Sequence, residues 1–138
     1  MLTIEEKLLA IILDHCRKAY PHECCGLLAG DGGEKKIVKG VYSLTNKNTE
    51  RAADRYEIDP PEYAQKDREI QEAGMQVIGI YHSHPDHPPR PSETDFNRAW
   101  PVYSYLIVAV EKGEKFDPHS WVLNEDETAF QEEEFIIE

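Results

Sequence analysis

No apolar run in this chain approaches the roughly 18 residues that a membrane-spanning helix requires, so no membrane association is expected. Cysteine is scarce as well. Cys16, Cys24 and Cys25 are an odd count with two of them adjacent, and sequence neighbours rarely bridge because disulfide geometry needs more separation. We read all three as reduced thiols, and the lack of a C-x-x-C pair removes support for a zinc ribbon. Positive charge is short too: 15 Lys and Arg face 27 Asp and Glu, for a formal charge of -12. Such a field repels phosphate backbones and argues against a nucleic-acid partner. The last fourteen residues, Glu125 to Glu138, hold seven acids and no bases, which reads as a solvated acidic surface. The start, Met1 to Lys7, lacks the basic, apolar and small-residue segments of a secretory signal, and the expected compartment is the cytoplasm. Repeats, linkers and low-complexity stretches are also missing.

What is present suits one compact α+β domain spanning residues 1–138, a length at which a core forms without staples. From Thr3 to about Tyr20, Ile4, Leu8, Ile11, Ile12 and Cys16 recur at three- and four-residue steps behind a T-x-x-E capping box, Thr3 with Glu6, predicting a first helix. Gly26–Gly30 and Lys36–Leu44 flank Asp31-Gly32-Gly33 and read as a hairpin. Asn46-Lys47-Asn48 reads as the following turn, and Arg55–Ile58 as a short strand. Asp59, Pro60 and Glu62 then suit a helix start, with Asp59 as cap, Pro60 at the first helical position and Glu62 closing a box; the helix should run to Gly74. Gln76 to Tyr81 is nearly all apolar, as in a strand buried on both faces, and it leads directly into His82-Ser83-His84. After a proline-rich loop, Ser92-Glu93-Thr94-Asp95 predicts a third, short helix with Phe96, Ala99 and Trp100 on one face. Tyr103–Val110, His119–Leu123 and Ala129–Ile137 read as the remaining strands.

His82 and His84 stand two apart on a predicted strand, so their side chains share a face with Cα atoms about 6.5 Å apart. Two imidazoles so placed can share one zinc ion, but a third ligand must come from elsewhere, because one strand cannot wrap a tetrahedron. The stiff loop to Ser92 turns the chain back, and a helix beginning there can present Asp95 over the strand end. Two histidines and a carboxylate leave the fourth position to water, whose pKa an open zinc site lowers to about 7. The same residues allow plainer explanations: H-x-H pairs arise by chance, and S-x-x-D is an ordinary helix cap with its acid near the positive end of the dipole. His15, His22, His87 and His119 have no ligand spacing and read as surface or satisfied histidines.

His82-x-His84-x7-Ser92-x2-Asp95, preceded by Glu23, resembles the JAMM (MPN-plus) metalloprotease motif at every position. Glu23-Cys24-Cys25-Gly26-Leu27-Leu28 is similar to that family's E-x-C-G-L-L segment, and Arg55-Tyr56-Glu57-Ile58-Asp59-Pro60 to a junction common in its bacterial members. The resemblance runs from about Thr3 to Trp121 and implies an MPN/cytidine-deaminase-like fold, a mixed central sheet flanked by about three helices. It also implies one zinc ion per chain on His82, His84 and Asp95, with a bound water as fourth ligand. Glu23 would be the general base, and the Ser92 hydroxyl the group that stabilises the oxyanion while also capping a helix, two roles that compete for one hydroxyl. Ser83 faces away and reads as structural, Cys25 reads as core, and Cys24 carries no assigned role.

Stand-alone prokaryotic members of this size process ubiquitin-like proteins, including sulfur carriers with Gly-Gly tails. The resemblance therefore implies a peptidase that cuts after such a tail, which could add as a strand along a sheet edge. An isopeptidase releasing ubiquitin-like modifiers from lysine, a non-catalytic MPN scaffold and a small-molecule metallohydrolase are the competing expectations.

Overall fold

The computed structural model describes residues 1–138 and contains three helices and one eight-stranded sheet of mixed pairing, in the order β7-β6-β5-β4-β2-β3-β1-β8. The strands are β1 (Leu2–Ile4), β2 (Cys25–Asp31), β3 (Lys36–Leu44), β4 (Gln76–Pro85), β5 (Ser104–Glu111), β6 (Lys115–Leu123), β7 (Phe130–Glu133) and β8 (Phe135–Ile137). The helices are α1 (Glu6–Ala19), α2 (Pro60–Glu72) and α3 (Glu93–Asn97). The expected α+β class is what forms. No helix is long and apolar enough to cross a membrane.

The central strand β4 pairs antiparallel with β2 and parallel with β5, so its ladder is complete on both sides. Its residues from Ile78 to Pro85 are all buried, as the apolar run predicts. On one face Leu9, Ile12 and Cys16 of α1 pack against Leu28, Ile78, Tyr81, Leu106 and Val108. On the other, Ile70 of α2 joins Leu27, Leu44, Tyr56, Ile80 and Tyr105. Close packing at β4 depends on Gly79: a Cβ there would stand 2.3 Å from the Ser104 carbonyl oxygen of β5.

Several local expectations yield to long-range pairing. Thr3 does not cap α1, because residues 2–4 are taken up by ladders to β3 and β8; Glu5 stands at the N-cap without a side-chain bond. Asp59 and Pro60 take the N-cap and first helical positions of α2, but the Asp59 side chain makes no cap bond, and the Glu62 carboxylate accepts from the Thr45 N–H at 2.8 Å instead of closing a box. Residues 55–58, expected as a short strand, join no ladder. Strand β6 begins at Lys115, ahead of the expected His119, because Glu111↔Lys115 pairing continues to a tight hairpin. Trp100 lies outside α3 and is 66% exposed.

The expected strand Ala129–Ile137 is broken at Glu134. Its halves, β7 and β8, occupy opposite edges of the sheet. One residue spans under about 4 Å, so the sheet must curl until its edges meet at Glu134. The Leu2 N–H donates to the Glu134 carbonyl at 2.9 Å and closes that corner.

Candidate metal centre

The β2–β4 ladder explains how the histidines and Glu23 come together. Cys25 pairs with His82, and the Ser83 N–H donates to the Cys24 carbonyl at 3.1 Å, so one pair further along Glu23 lies next to His84. Alternation does the rest: His82 and His84 face the α2 side, while Tyr81 and Ser83 face away. The Ser83 hydroxyl accepts from the Cys24 N–H at 2.9 Å, the structural tie expected of it. Cys24 sits under α1 with its sulfur 3.7 Å from that of Cys16, and Cys25 packs in the opposite core.

Asp95 arrives from α3. Ser92 is the N-cap: its hydroxyl accepts from the Asp95 N–H at 3.0 Å, and the Asp95 carboxylate accepts in return from the Ser92 N–H at 2.8 Å. This reciprocal box aims Asp95 Oδ2 at the strand end. Nε2 of His82 and Nε2 of His84 lie 3.1 Å apart, and Asp95 Oδ2 is 3.3 Å from the first and 3.2 Å from the second. All three side chains are at least nine-tenths buried.

These separations fit zinc. Ligand atoms at 2.0–2.1 Å from a tetrahedral zinc ion stand about 3.3 Å from each other. His84 Nδ1 lies 2.7 Å from the Pro88 carbonyl, a contact only an N–H can make, which leaves Nε2 with the lone pair a metal needs. His82 is held by a ring stack on Tyr56 at 4.5 Å, and its buried Nδ1 has no hydrogen-bond partner. Three acceptor atoms converging in a buried site are stable together only around a shared cation or proton.

The two buried carboxyls are driven apart. Burial opposes ionisation of Asp95, but the adjacent His82 and His84 rings and the Ser92 amide overrule it and hold the carboxyl well below the usual range. Glu23 is only 3% exposed, and burial, reinforced by the carboxylates of Asp95 and Asp54, pushes its pKa up to about 9. A cation in the adjacent triad acts in the opposite direction, favouring the carboxylate.

All five residues expected from the motif, Glu23, His82, His84, Ser92 and Asp95, thus come to one place. Three further residues were missed. His87, read as a bystander, stacks on His84 with ring centroids 4.1 Å apart and brings Nε2 to 3.9 Å from Glu23 Oε2; its only sequence signal is membership of the same loop. Tyr56, read as part of a strand, is the platform under His82. Asn46, read as a turn former, donates to the carbonyls of Glu23 (3.1 Å) and Arg55 (3.0 Å) and accepts from the Glu57 N–H at 3.0 Å. It ties the start of β2 to the segment carrying Tyr56.

Two clefts flank the centre. One of about 610 Å³ is lined by His87, Pro88, Lys112 and Asp117, and one of about 440 Å³ by Glu23, Asn46, Glu62 and Lys66.

The family of prokaryotic homologs of the JAB domain matches residues 5–124. The chain is 39% identical over 120 residues to the desampylase of Haloferax volcanii, covering 83% of each protein. It is 31% identical over 120 residues to the CysO-cysteine peptidase of Mycobacterium bovis, covering 86% of this chain and 77% of the relative. The solution structure of a Desulfitobacterium hafniense protein superposes with a TM-score of 0.86 at 34% identity, over all of this chain and 93% of the other. The chain therefore belongs to the prokaryotic homologs of the JAB domain and is an enzyme of that metallopeptidase family.

Proposed function

We propose that the chain acts as one domain, a zinc-dependent peptidase that hydrolyses the peptide or amide bond following the Gly-Gly tail of a ubiquitin-like or sulfur-carrier protein. The observation that carries this reading is the convergence of His82 Nε2, His84 Nε2 and Asp95 Oδ2 within 3.3 Å of one another, with the Glu23 carboxyl beside them. The relatives named desampylase and CysO-cysteine peptidase support the substrate class.

His82, His84 and Asp95 would hold the ion. When bound, zinc supplies Lewis-acid polarisation of the scissile carbonyl and makes water more acidic. Glu23 accepts a proton as water oxygen attacks the carbonyl carbon, and then delivers it to the leaving nitrogen as the C–N bond breaks. At 3% exposure, the Glu23 side chain contacts little bulk water. The Ser92 cap consumes only a lone pair of the hydroxyl, as acceptor from Asp95 N–H, and its proton remains available for the developing oxyanion. The competition expected between its two roles therefore disappears. The clefts on the Glu23 and His87 sides offer space for chain on both sides of the scissile bond.

The test is to incubate zinc-loaded protein with a sulfur-carrier protein extended beyond its Gly-Gly tail and to follow intact mass beside a Glu23→Gln control. Loss of the extension alone, absent in the control, is expected. An intact substrate in the presence of one bound zinc overturns the substrate class, and release of a lysine-linked modifier instead identifies an isopeptidase.

A further inference from the structure

The Glu23–His87 pair lies outside the three-ligand set, and its geometry resembles that of a second set. Ligand atoms of Glu23, His84 and His87 all lie within 4.8 Å of one another. His87 Nδ1 is 2.9 Å from the Pro85 carbonyl, which makes Nδ1 the N–H donor and leaves the Nε2 lone pair on the Glu23 side. The same device, an imidazole anchored through its far nitrogen to a loop carbonyl, orients His84 through Pro88 and is the usual support of a metal-binding histidine. No lysine or arginine pairs with Glu23; the His87 imidazole is the basic side chain beside it, at 3.9 Å.

We propose that Glu23 and His87 together form a second, weaker site for a divalent transition-metal ion, and that filling it inhibits the enzyme. This rests on the zinc-peptidase reading above, in which the first ion occupies His82, His84 and Asp95 and Glu23 is the base.

His84 cannot serve both ions: its Nε2 belongs to the first set and its Nδ1 to Pro88. The second ion is left with one carboxylate oxygen and one imidazole nitrogen from the protein, and solvent must fill its other positions. His87 is one-third exposed and also lines the 610 Å³ cleft, so solvent and ion have a route in. Two protein ligands against three make this the weaker site. The 3.9 Å between Glu23 Oε2 and His87 Nε2 exceeds by about 0.6 Å the edge of a zinc tetrahedron. His87 sits in a loop outside the sheet, between Pro85 and Pro88, and is the partner able to close that gap. A mixed carboxylate and imidazole pair favours zinc, nickel or copper over magnesium or calcium. Once a cation holds the Glu23 oxygen, that oxygen can no longer take the proton of the attacking water, and turnover stops without loss of the first ion.

The experiment is native mass spectrometry of the full chain titrated with zinc, paired with peptidase activity at each point, in wild type, His87→Ala and Glu23→Gln. Wild type is expected to bind one ion and then a second, and its activity to fall by about 10²–10⁴-fold from its one-ion value once the second site is filled, the scale of losing a general base. His87→Ala and Glu23→Gln are expected to stop at one ion. The activity of His87→Ala, taken relative to its own one-ion value, should stay flat over the same zinc range. Magnesium should reproduce neither effect. A wild type that stops at one ion, or a His87→Ala protein that still takes two, overturns the second site alone. A wild type that binds no zinc overturns the peptidase reading with it.

Discussion

Ser92 and Asp95 hold each other by two reciprocal hydrogen bonds, and the Asp95 oxygen that accepts from the Ser92 N–H is the same Oδ2 that faces both histidines. The return bond of the capping box and the proposed third metal ligand share one atom, and the Ser92 hydroxyl holds the Asp95 backbone that carries it. Ser92→Ala should therefore cost about 1 kcal/mol, the usual value of a lost cap, and also loosen the ion. Ser92→Thr, which retains the acceptor, should recover stability and zinc affinity. Thermal unfolding and a competitive zinc titration measure the two effects, and affinity unchanged in Ser92→Ala would uncouple them.

Ligands and base should separate in mutants. His82→Ala and Asp95→Ala should each lose zinc and turnover together, whereas Glu23→Gln should keep the first zinc and lose turnover by about 10²–10⁴-fold. Chelation of wild type should abolish activity, and added zinc should restore it. Metal analysis beside kinetics checks all of these, and retained activity in Glu23→Gln would remove Glu23 from the mechanism.

Glu23 should make the stability of the metal-free protein depend on pH. Its pKa is raised from an ordinary glutamate value to about 9 on folding, chiefly by burial. The folded state then keeps a proton that the unfolded state has released. The resulting stability is complete below about pH 4.3, the unfolded value, and is lost as pH rises toward 9. In chelator, wild-type melting temperature should fall across that window relative to Glu23→Gln. Asp95 shifts the other way, and its contribution is lost only as pH falls below the ordinary carboxylate range, so the two effects do not overlap. Parallel melting curves for the two proteins would contradict this assignment.

Asn46 should matter more than a turn residue normally does. Asn46→Ala removes bonds to Glu23, Arg55 and Glu57 and leaves partly buried backbone groups unpaired, at about 1–3 kcal/mol for the buried groups. Because it joins the Glu23 backbone to the Tyr56 segment, kcat should fall more than KM rises. A loss of stability with kcat intact would make Asn46 structural only.

Where a local rule and the sheet agree, the sequence alone was sufficient. The two-residue spacing of His82 and His84 places both rings on one face of any strand, and the apolar run before them marks that strand as central. Ser92-x-x-Asp95 forms its cap within four residues, so the proposed third ligand was also visible from local order. The JAMM-like spacing linked these to Glu23 across 59 residues, which no periodicity could have done.

Tertiary structure decided the rest, wherever a residue had two satisfactory local fates. Thr3 can cap a helix or join a ladder, and β3 and β8, distant in sequence, chose the ladder. Ala129–Ile137 is patterned as one strand, but the closing sheet assigns its halves to opposite edges and breaks it at Glu134. His87 and Asn46 look like loop residues because the partners that matter, Glu23 for one, Glu23 and the 55–57 backbone for the other, become neighbours only once β2 pairs with β3 and β4. Local chemistry is written in spacing, whereas contacts between distant segments depend on which of several comparably favourable pairings the whole chain can satisfy at once.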